Sequence, residues 1–146
     1  MNKKIRILFL CTGNSCRSQM AEGWAKHLKN ETVEAFSAGI EKHGLNPLAT
    51  KVMAEAGIDI SKQNSKLVSE LPVADFDFIV TVCDHAAQSC PHFPGKGLVI
   101  RKNFPDPPRL AALAKTEEEK LVYFRQVRND IRKFVIGLPE NLAEKN

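Results

Sequence analysis

The chain has 146 residues and a net charge of +4, from 21 basic and 17 acidic side chains. This charge is too small and too dispersed to indicate a nucleic-acid-binding protein. The composition is ordinary for a globular protein, so we expect one domain over residues 1–146. No apolar run approaches the roughly 20 residues of a membrane span, and the short run after Lys4 predicts a strand rather than a signal peptide. We therefore expect a cytoplasmic monomer that binds neither nucleic acid nor membranes.

Strands and helices alternate along the chain. Apolar and β-branched runs predict four strands, in the segments KIRILFLC, TVEAFSAG, FDFIVTVC and GLVIRKNF. Apolar residues at helical spacing predict helices over residues 18–29, 46–57 and 116–137. The alternation predicts a four-stranded, parallel, doubly wound α/β sheet flanked by helices. Such sheets bind ligands beyond the carboxyl ends of their strands, and Cys11 and Cys83 each end a predicted strand.

The loop CTGNSCRS, residues 11–18, has the composition of an oxyanion site. A helix N-terminus presents backbone N–H groups and a positive dipole to an anion, and Arg17 adds a planar pair of donors. The same surroundings favour a thiolate, so we expect Cys11 to be a nucleophile that accepts a hydrogen bond from Ser18. The candidate binding residues are Thr12, Gly13, Asn14, Ser15, Cys16, Arg17 and Ser18. The plainer alternative is a packed cysteine followed by an ordinary turn, but the Cys-x5-Arg-Ser spacing favours catalysis.

A second pair of cysteines, Cys83 and Cys90, lies in the segment VTVCDHAAQSCPHFPG. Three interpretations are open: inert buried cysteines, a metal site completed by His85 and His92, or a redox pair that serves Cys11. The spacing is unlike that of structural zinc sites, which disfavours a metal. We expect the two histidines to face solvent or to make local hydrogen bonds.

The segment CTGNSCRSQMAEG, with SAGI, HGLNP and DISKQ further on, resembles the thioredoxin-coupled arsenate reductases. These enzymes share their fold and anion loop with the low-molecular-weight protein tyrosine phosphatases, and the resemblance extends from about Lys4 to the last helix. It implies reduction of arsenate to arsenite in arsenic detoxification. It also implies that Cys11 is the nucleophile, and that Arg17 and the loop amides hold arsenate.

The resemblance favours the redox pair, because the reductases carry a Cys-x6-Cys-Pro segment here and the phosphatases do not. It implies that a Cys11–Cys83 disulfide forms as arsenite leaves, and that Cys90 converts it to Cys83–Cys90, which thioredoxin reduces. Cys16 is not needed, and we expect it to pack beneath the loop or to form an off-pathway disulfide with Cys11. Two rival functions stay open: a phosphatase of this fold acting on phosphotyrosine or a small phosphoester, and a non-catalytic anion or arsenic sensor.

The residues between Cys83 and Cys90 have helical character. A helix would separate the two Cα atoms by about 10 Å, whereas a disulfide requires less than about 7 Å. We therefore predict that forming the Cys83–Cys90 disulfide converts residues 83–90 from helix to loop.

Asp106 lies between prolines in the segment NFPDPPR. Its spacing alone favours a structural turn, whereas the resemblance implies a general acid that protonates the leaving oxygen. The phosphatases typically follow this Asp-Pro with tyrosines that receive an aromatic substrate. Pro108 and Arg109 stand in this chain instead, which counts against phosphotyrosine.

Some of the reductases hold potassium behind the anion loop, through residues that match Asn14, Glu22 and Ser37 and through an aspartate. Lys66 takes the position of that aspartate, so we expect its ammonium group to replace the cation. We accordingly expect no cofactor, no bound metal and an activity that does not respond to potassium.

Overall fold

A computed structural model describes residues 3–90 and 97–143 and places a parallel sheet at the centre of the fold. The strands are β1 Ile5–Cys11, β2 Val33–Gly39, β3 Phe78–Thr81 and β4 Leu98–Arg101. They lie in the order β2–β1–β3–β4, and all three pairings are parallel. The predicted four-stranded sheet is confirmed. Residues 7–10 of β1 are fully buried, because this central strand has neighbours on both edges and helices over its faces.

Helices connect and cover the strands. They are α1 Arg17–Leu28, α2 Pro47–Glu55, α3 Asp84–Gln88, α4 Pro107–Leu110, α5 Glu117–Ile136 and α6 Glu140–Ala143, with a 3₁₀ turn at Val68–Glu70. The α1 helix packs against β2 and α5, and α5 also packs against α2 and α4. Within the described ranges, no helix is long and apolar enough to cross a bilayer.

The start of α2 illustrates how local sequence sets an element boundary. The side chain of Asn46 accepts hydrogen bonds from the backbone N–H groups of Leu48 and Ala49, at 2.8 and 3.2 Å, and Pro47 occupies the first helical position. Gly57, at φ 85°, follows the end of the helix in the left-handed conformation that glycine adopts without strain. These boundaries agree with the sequence prediction.

The third and fourth strands are shorter than predicted. The sequence predicts β4 over GLVIRKNF, residues 97–104, whereas the strand ends at Arg101. β3 ends at Thr81, and Cys83 is the N-cap residue of α3, so the prediction that Cys83 ends a strand is wrong. The backbone nevertheless continues along the sheet, since the N–H of Val82 donates to the carbonyl of Leu10 at 2.9 Å. Cys83 therefore still reaches the carboxyl edge of the sheet beside Cys11, where the strand order changes direction.

Candidate active site

Cys11 ends the central strand and is only 4% exposed. Its Sγ lies 2.9 Å from Oγ of Ser18 in the first turn of α1. The Asn14 amide donates to the same Ser18 oxygen at 2.9 Å, which leaves the hydroxyl proton of Ser18 free to point at the sulfur. The contact expected between Ser18 and Cys11 is present, in a geometry that suits a thiolate acceptor.

The anion loop is held in place by the segment that follows β2. Backbone N–H groups of this segment donate to loop carbonyls at 2.8 to 3.1 Å, in the pairs Ile40–Cys11, Glu41–Thr12, His43–Gly13 and Asn46–Ser15. A trans peptide directs its N–H opposite to its C=O, so the amides of these peptides are directed away from the segment. Asn14 adopts a positive φ of 48°, which an asparagine tolerates better than most residues. The loop is thus shaped to offer its N–H groups to an anion.

A cleft of about 300 Å³ opens above the loop. Its lining residues are Cys11, Thr12, Gly13, Ser15, Cys16, Arg17, His43, Asp106 and Pro108. The predicted nucleophile, arginine and acid thus share one cleft, together with four further loop residues from the predicted binding set. Asn14 and Ser18 lie behind the loop, where both are fully buried. His43, which its sequence context marks only as a loop residue, also lines the cleft, and Nε2 of its ring lies 2.7 Å from a Glu41 carboxylate oxygen.

Arg17 is held in position from the β4–α4 connection. One guanidinium nitrogen donates to the carbonyl of Phe104 at 2.9 Å, and another lies 3.8 Å from Oδ1 of Asp106. The Arg17 side chain is 14% exposed, whereas that of Asp106 is 41% exposed at the N-cap of α4. A fixed guanidinium suits a tetrahedral oxyanion, and an exposed carboxyl group beside it can exchange protons with solvent.

A second thiol approaches the loop through Thr12. The Oγ1 atom of Thr12 lies 3.3 Å from Sγ of Cys83 and 3.1 Å from Nδ1 of His85. The Cys83 sulfur also accepts from the backbone N–H of Ala86 at 3.4 Å. Cys90 lies beyond the end of α3, half-buried, and burial raises the pKa of its thiol. None of Cys11, Cys16, Cys83 and Cys90 forms a disulfide in the structure.

The metal interpretation of this segment involves Cys83, His85, Cys90 and His92. His92 lies outside the described residues. Over residues 3–90 and 97–143, no group of three or more His, Cys, Asp or Glu side chains is arranged to hold a metal ion. His85 is exposed, as expected, but its hydrogen bond is to Thr12 in the anion loop and is therefore not a local one.

Cys16 differs from Cys11 in its surroundings. It is 5% exposed at the N-cap of α1. Burial raises the pKa of its thiol far above the usual range, and the negative charge of Cys11 adds to the effect. Its surroundings in the wall of the cleft therefore favour the protonated thiol.

A chain of polar contacts runs from the loop to Lys66. Asn14 donates to Oγ of Ser37 at 3.0 Å, and that hydroxyl group donates to the buried Glu22 carboxylate. Lys66 lies 3.8 Å from Oε1 of Glu22, and Lys26 contacts the other carboxylate oxygen at 2.5 Å. Burial lowers the pKa of Lys66, while Glu22 opposes the shift. Two ammonium groups thus lie against this carboxylate.

The strand order, the thiol-bearing loop at the switch point and the Asp-Pro turn together define a phosphatase-like class of α/β protein. The chain belongs to the low molecular weight phosphotyrosine protein phosphatase family, whose model matches residues 6–146. The family resemblance noted in the sequence is thereby confirmed.

The chain is also similar to arsenate reductases of this fold. The arsenate reductase of Halalkalibacterium halodurans is 49% identical over 133 residues, which cover 91% of this chain and 93% of that protein. The arsenate reductase of Bacillus subtilis is 50% identical over 131 residues, which cover 90% of this chain and 91% of that protein. A solved structure described as an arsenate reductase in the phosphate binding state is 30% identical, with a TM-score of 0.65 over 97% of this chain and 98% of that one.

Proposed function

We propose that this chain reduces arsenate to arsenite, with Cys11 as nucleophile and Cys83 and Cys90 as a dithiol relay re-reduced by thioredoxin. The observation that carries the proposal is the contact between Thr12 of the anion loop and the thiol of Cys83, at 3.3 Å. Hydrolysis does not require a second thiol beside the anion loop. A reductase requires one, because arsenate must gain two electrons to become arsenite.

The first step is nucleophilic attack at arsenic. The Cys11 thiolate, held by Ser18, bonds to arsenic while Arg17 and the loop amides bind the remaining oxygens. Asp106, which lines the same cleft, protonates the departing oxygen, which leaves as water. The product is a covalent Cys11–arsenic(V) adduct, with no electrons yet transferred.

The second step transfers the electrons. The Cys83 thiolate attacks the Cys11 sulfur, a disulfide forms, and the pair of electrons from the broken sulfur–arsenic bond stays on arsenic. Arsenic(V) becomes arsenic(III), and arsenite leaves. The Cys90 thiolate then attacks the Cys83 sulfur and releases Cys11 as a thiolate. The resulting Cys83–Cys90 disulfide is the substrate for thioredoxin.

A phosphatase of the same fold is the second candidate function. The cleft accepts any tetrahedral oxyanion of suitable size, and the matching family is described as a phosphotyrosine phosphatase. Pro108 in the cleft wall, followed by Arg109, offers no aromatic surface for a phosphotyrosine ring. This composition favours a small inorganic anion over an aryl phosphate.

Replacing Cys83 by serine separates the two functions. In Cys83→Ser we expect arsenate turnover, coupled to thioredoxin, thioredoxin reductase and NADPH, to fall to background. Hydrolysis of 4-nitrophenyl phosphate should continue, because it needs only the loop and the acid. Loss of both activities in a folded Cys83→Ser variant, or no arsenate reduction by the wild type with any thiol donor, would contradict the proposal.

Two further cysteine variants serve as matched controls. Cys90→Ser should release one equivalent of arsenite and then stop as a Cys11–Cys83 disulfide, which peptide mass spectrometry detects. Cys16→Ser should turn over arsenate with thioredoxin at a rate close to that of the wild type. Turnover by Cys90→Ser as fast as by the wild type would remove Cys90 from the relay.

A further inference from the structure

We propose that His85 accepts the proton of the Cys83 thiol through the hydroxyl group of Thr12, and so makes Cys83 a nucleophile. The inference rests on the proposed function for its role in turnover, because only a reductase needs Cys83 to attack. The three groups themselves are placed by the structure, with Thr12 Oγ1 at 3.3 Å from Sγ of Cys83 and 3.1 Å from Nδ1 of His85.

Burial explains why Cys83 needs such a route. Cys83 is only 4% exposed, so water has little direct access to its thiol proton. Thr12 is half-buried and His85 is exposed, so the three residues lead from the protein interior to solvent. Imidazole is the side chain best suited to accept a proton near neutral pH and to release it to water.

The hydroxyl group of Thr12 can serve both neighbours at once. A hydroxyl group donates one hydrogen bond and accepts others. In the neutral arrangement, the S–H of Cys83 donates to Thr12, and the O–H of Thr12 donates to Nδ1 of His85. In the ionic arrangement, the proton from sulfur is on Thr12, the former Thr12 proton is on Nδ1, and the hydroxyl group now donates to the thiolate. Protons balance, and Thr12 is unchanged.

Other contacts suit this arrangement. The backbone N–H of Ala86 donates to Sγ of Cys83, an interaction that strengthens when sulfur becomes negative. The carboxylate next to His85 in the chain, Asp84, is engaged elsewhere, with Asn103 and with Arg101 at 3.8 Å. His85 is thus bonded to the anion loop rather than to its neighbouring acid.

The test is the pH dependence of Cys83 alkylation, measured on the reduced full-length protein without arsenate. Iodoacetamide labelling of each cysteine is followed by peptide mass spectrometry. His85→Gln can accept the hydrogen bond of Thr12 but cannot take its proton. We expect this variant to label more slowly at Cys83 near neutral pH and to approach the wild-type rate at alkaline pH, where hydroxide ionises the thiol directly. Cys11 in the same sample is the internal control and should label as before.

Further variants separate proton transfer from a structural effect. His27→Gln replaces another exposed histidine, on α1, and should change nothing. In His85→Ala, added imidazole should restore Cys83 labelling in proportion to its free-base form. Thr12→Val breaks the same route. The double variant Thr12→Val with His85→Gln should therefore label at Cys83 no more slowly than Thr12→Val alone. Additive losses, or equal slowing at all pH values, would overturn the proposal.

A single-turnover measurement links the proposal to the reaction. With arsenate, His85→Gln should form the Cys11–Cys83 disulfide on the order of 100-fold more slowly than the wild type at neutral pH. If arsenate is reduced as proposed but neither labelling nor disulfide formation depends on His85, the His85 inference fails alone. If labelling depends on His85 but no arsenate is reduced, the proposed function fails and the proton route stands.

Discussion

Lys66 places its ammonium nitrogen 3.8 Å from Oε1 of Glu22, a carboxylate whose side chain is only 5% exposed. Glu22 accepts a hydrogen bond from the Ser37 hydroxyl group, and that hydroxyl group accepts a hydrogen bond from the Asn14 amide at 3.0 Å. Asn14 also donates to the serine that contacts the Cys11 sulfur. A fixed positive charge therefore supports the outer end of a polar network that reaches the nucleophile.

The first prediction concerns potassium. Because the ammonium groups of Lys66 and Lys26 both lie against Glu22, we expect initial rates of arsenate reduction to be equal in sodium and potassium buffers of the same ionic strength. Lys66→Asp should lower the rate in sodium and make it respond to potassium, since it exchanges the fixed cation for another acid. Lys62 is an exposed lysine that lines the same surface groove as Glu22 and Lys66. Lys62→Asp is therefore the control, and its rate should not respond to potassium. Stimulation of the wild type by potassium would contradict the prediction.

The second prediction concerns Cys16 and alkaline pH. Its pKa is raised in the folded protein by burial and by Cys11, whereas in the unfolded chain a cysteine ionises near pH 8.5. Above roughly that pH the unfolded chain loses this proton and the folded chain keeps it. The unfolded state then binds fewer protons, so the free energy of unfolding falls as pH rises.

Urea unfolding at several pH values measures this effect. Between about pH 8 and about pH 10, the wild type should lose about 1–2 kcal/mol more stability than Cys16→Ser, which has no thiol to ionise at this position. Below about pH 8 the difference between the two proteins should not depend on pH. Parallel pH profiles over the whole range would show that Cys16 ionises equally in both states.

The third prediction concerns α3, which in the reduced protein spans Asp84–Gln88, with the N–H of Ser89 bonded to the carbonyl of His85 at 2.9 Å. A helix between Cys83 and Cys90 keeps their Cα atoms too far apart for a disulfide. Oxidation should therefore abolish hydrogen-exchange protection at Ser89 and shift the amide resonances of residues 83–90. Cys83→Ser, which can form neither disulfide of the proposed relay, should retain the reduced pattern after the same treatment. Unchanged protection in the oxidised wild type would rule out the helix-to-loop change.

Much of the fold, and the part of the site formed by the anion loop, could be predicted because the sequence signals for them are local. β1, the anion loop and the start of α1 are contiguous, so Cys11, Arg17 and Ser18 are positioned by one strand–loop–helix junction. The Asn46 cap is equally local. The sequence predicts too long a β3, because apolar character continues through Val82. The pairing of β3 with β4 ends at Thr81. An apolar run records burial and does not fix where pairing ends.

Contacts between distant segments could not be predicted in this way. The bond of Thr12 to His85 joins loops after two different strands, and it depends on the register of β1 against β3. The position of His43 depends on the backbone ladder between the anion loop and the segment after β2. His85 belongs to no motif with recognisable spacing, and His43 belongs to the segment HGLNP, which resembles the family but indicates no role for the histidine. A histidine near a strand end was the available signal in each case, and it is a weak one.

The fourth prediction concerns Gly13 and His43. A Cβ atom at Gly13 would lie 2.2 Å from Nδ1 and 2.4 Å from Cγ of the His43 ring, and 2.8 Å from the histidine Cβ. Rotation of the ring would not relieve the contact with the His43 Cβ, because the backbone N–H of His43 is bonded to the Gly13 carbonyl and fixes the position of that atom. Gly13→Ala should therefore displace the loop, at a cost of about 1–3 kcal/mol.

Displacement of the loop should weaken oxyanion binding more than it alters folding of the sheet. We expect the KM for arsenate and the inhibition constant for phosphate to rise about 10- to 100-fold in Gly13→Ala. His43→Ala removes the clashing ring, so the double variant should bind phosphate better than Gly13→Ala alone, which is the opposite of additive damage. Equal phosphate affinities in Gly13→Ala and the double variant would show that the methyl group acts through the loop backbone instead of through His43.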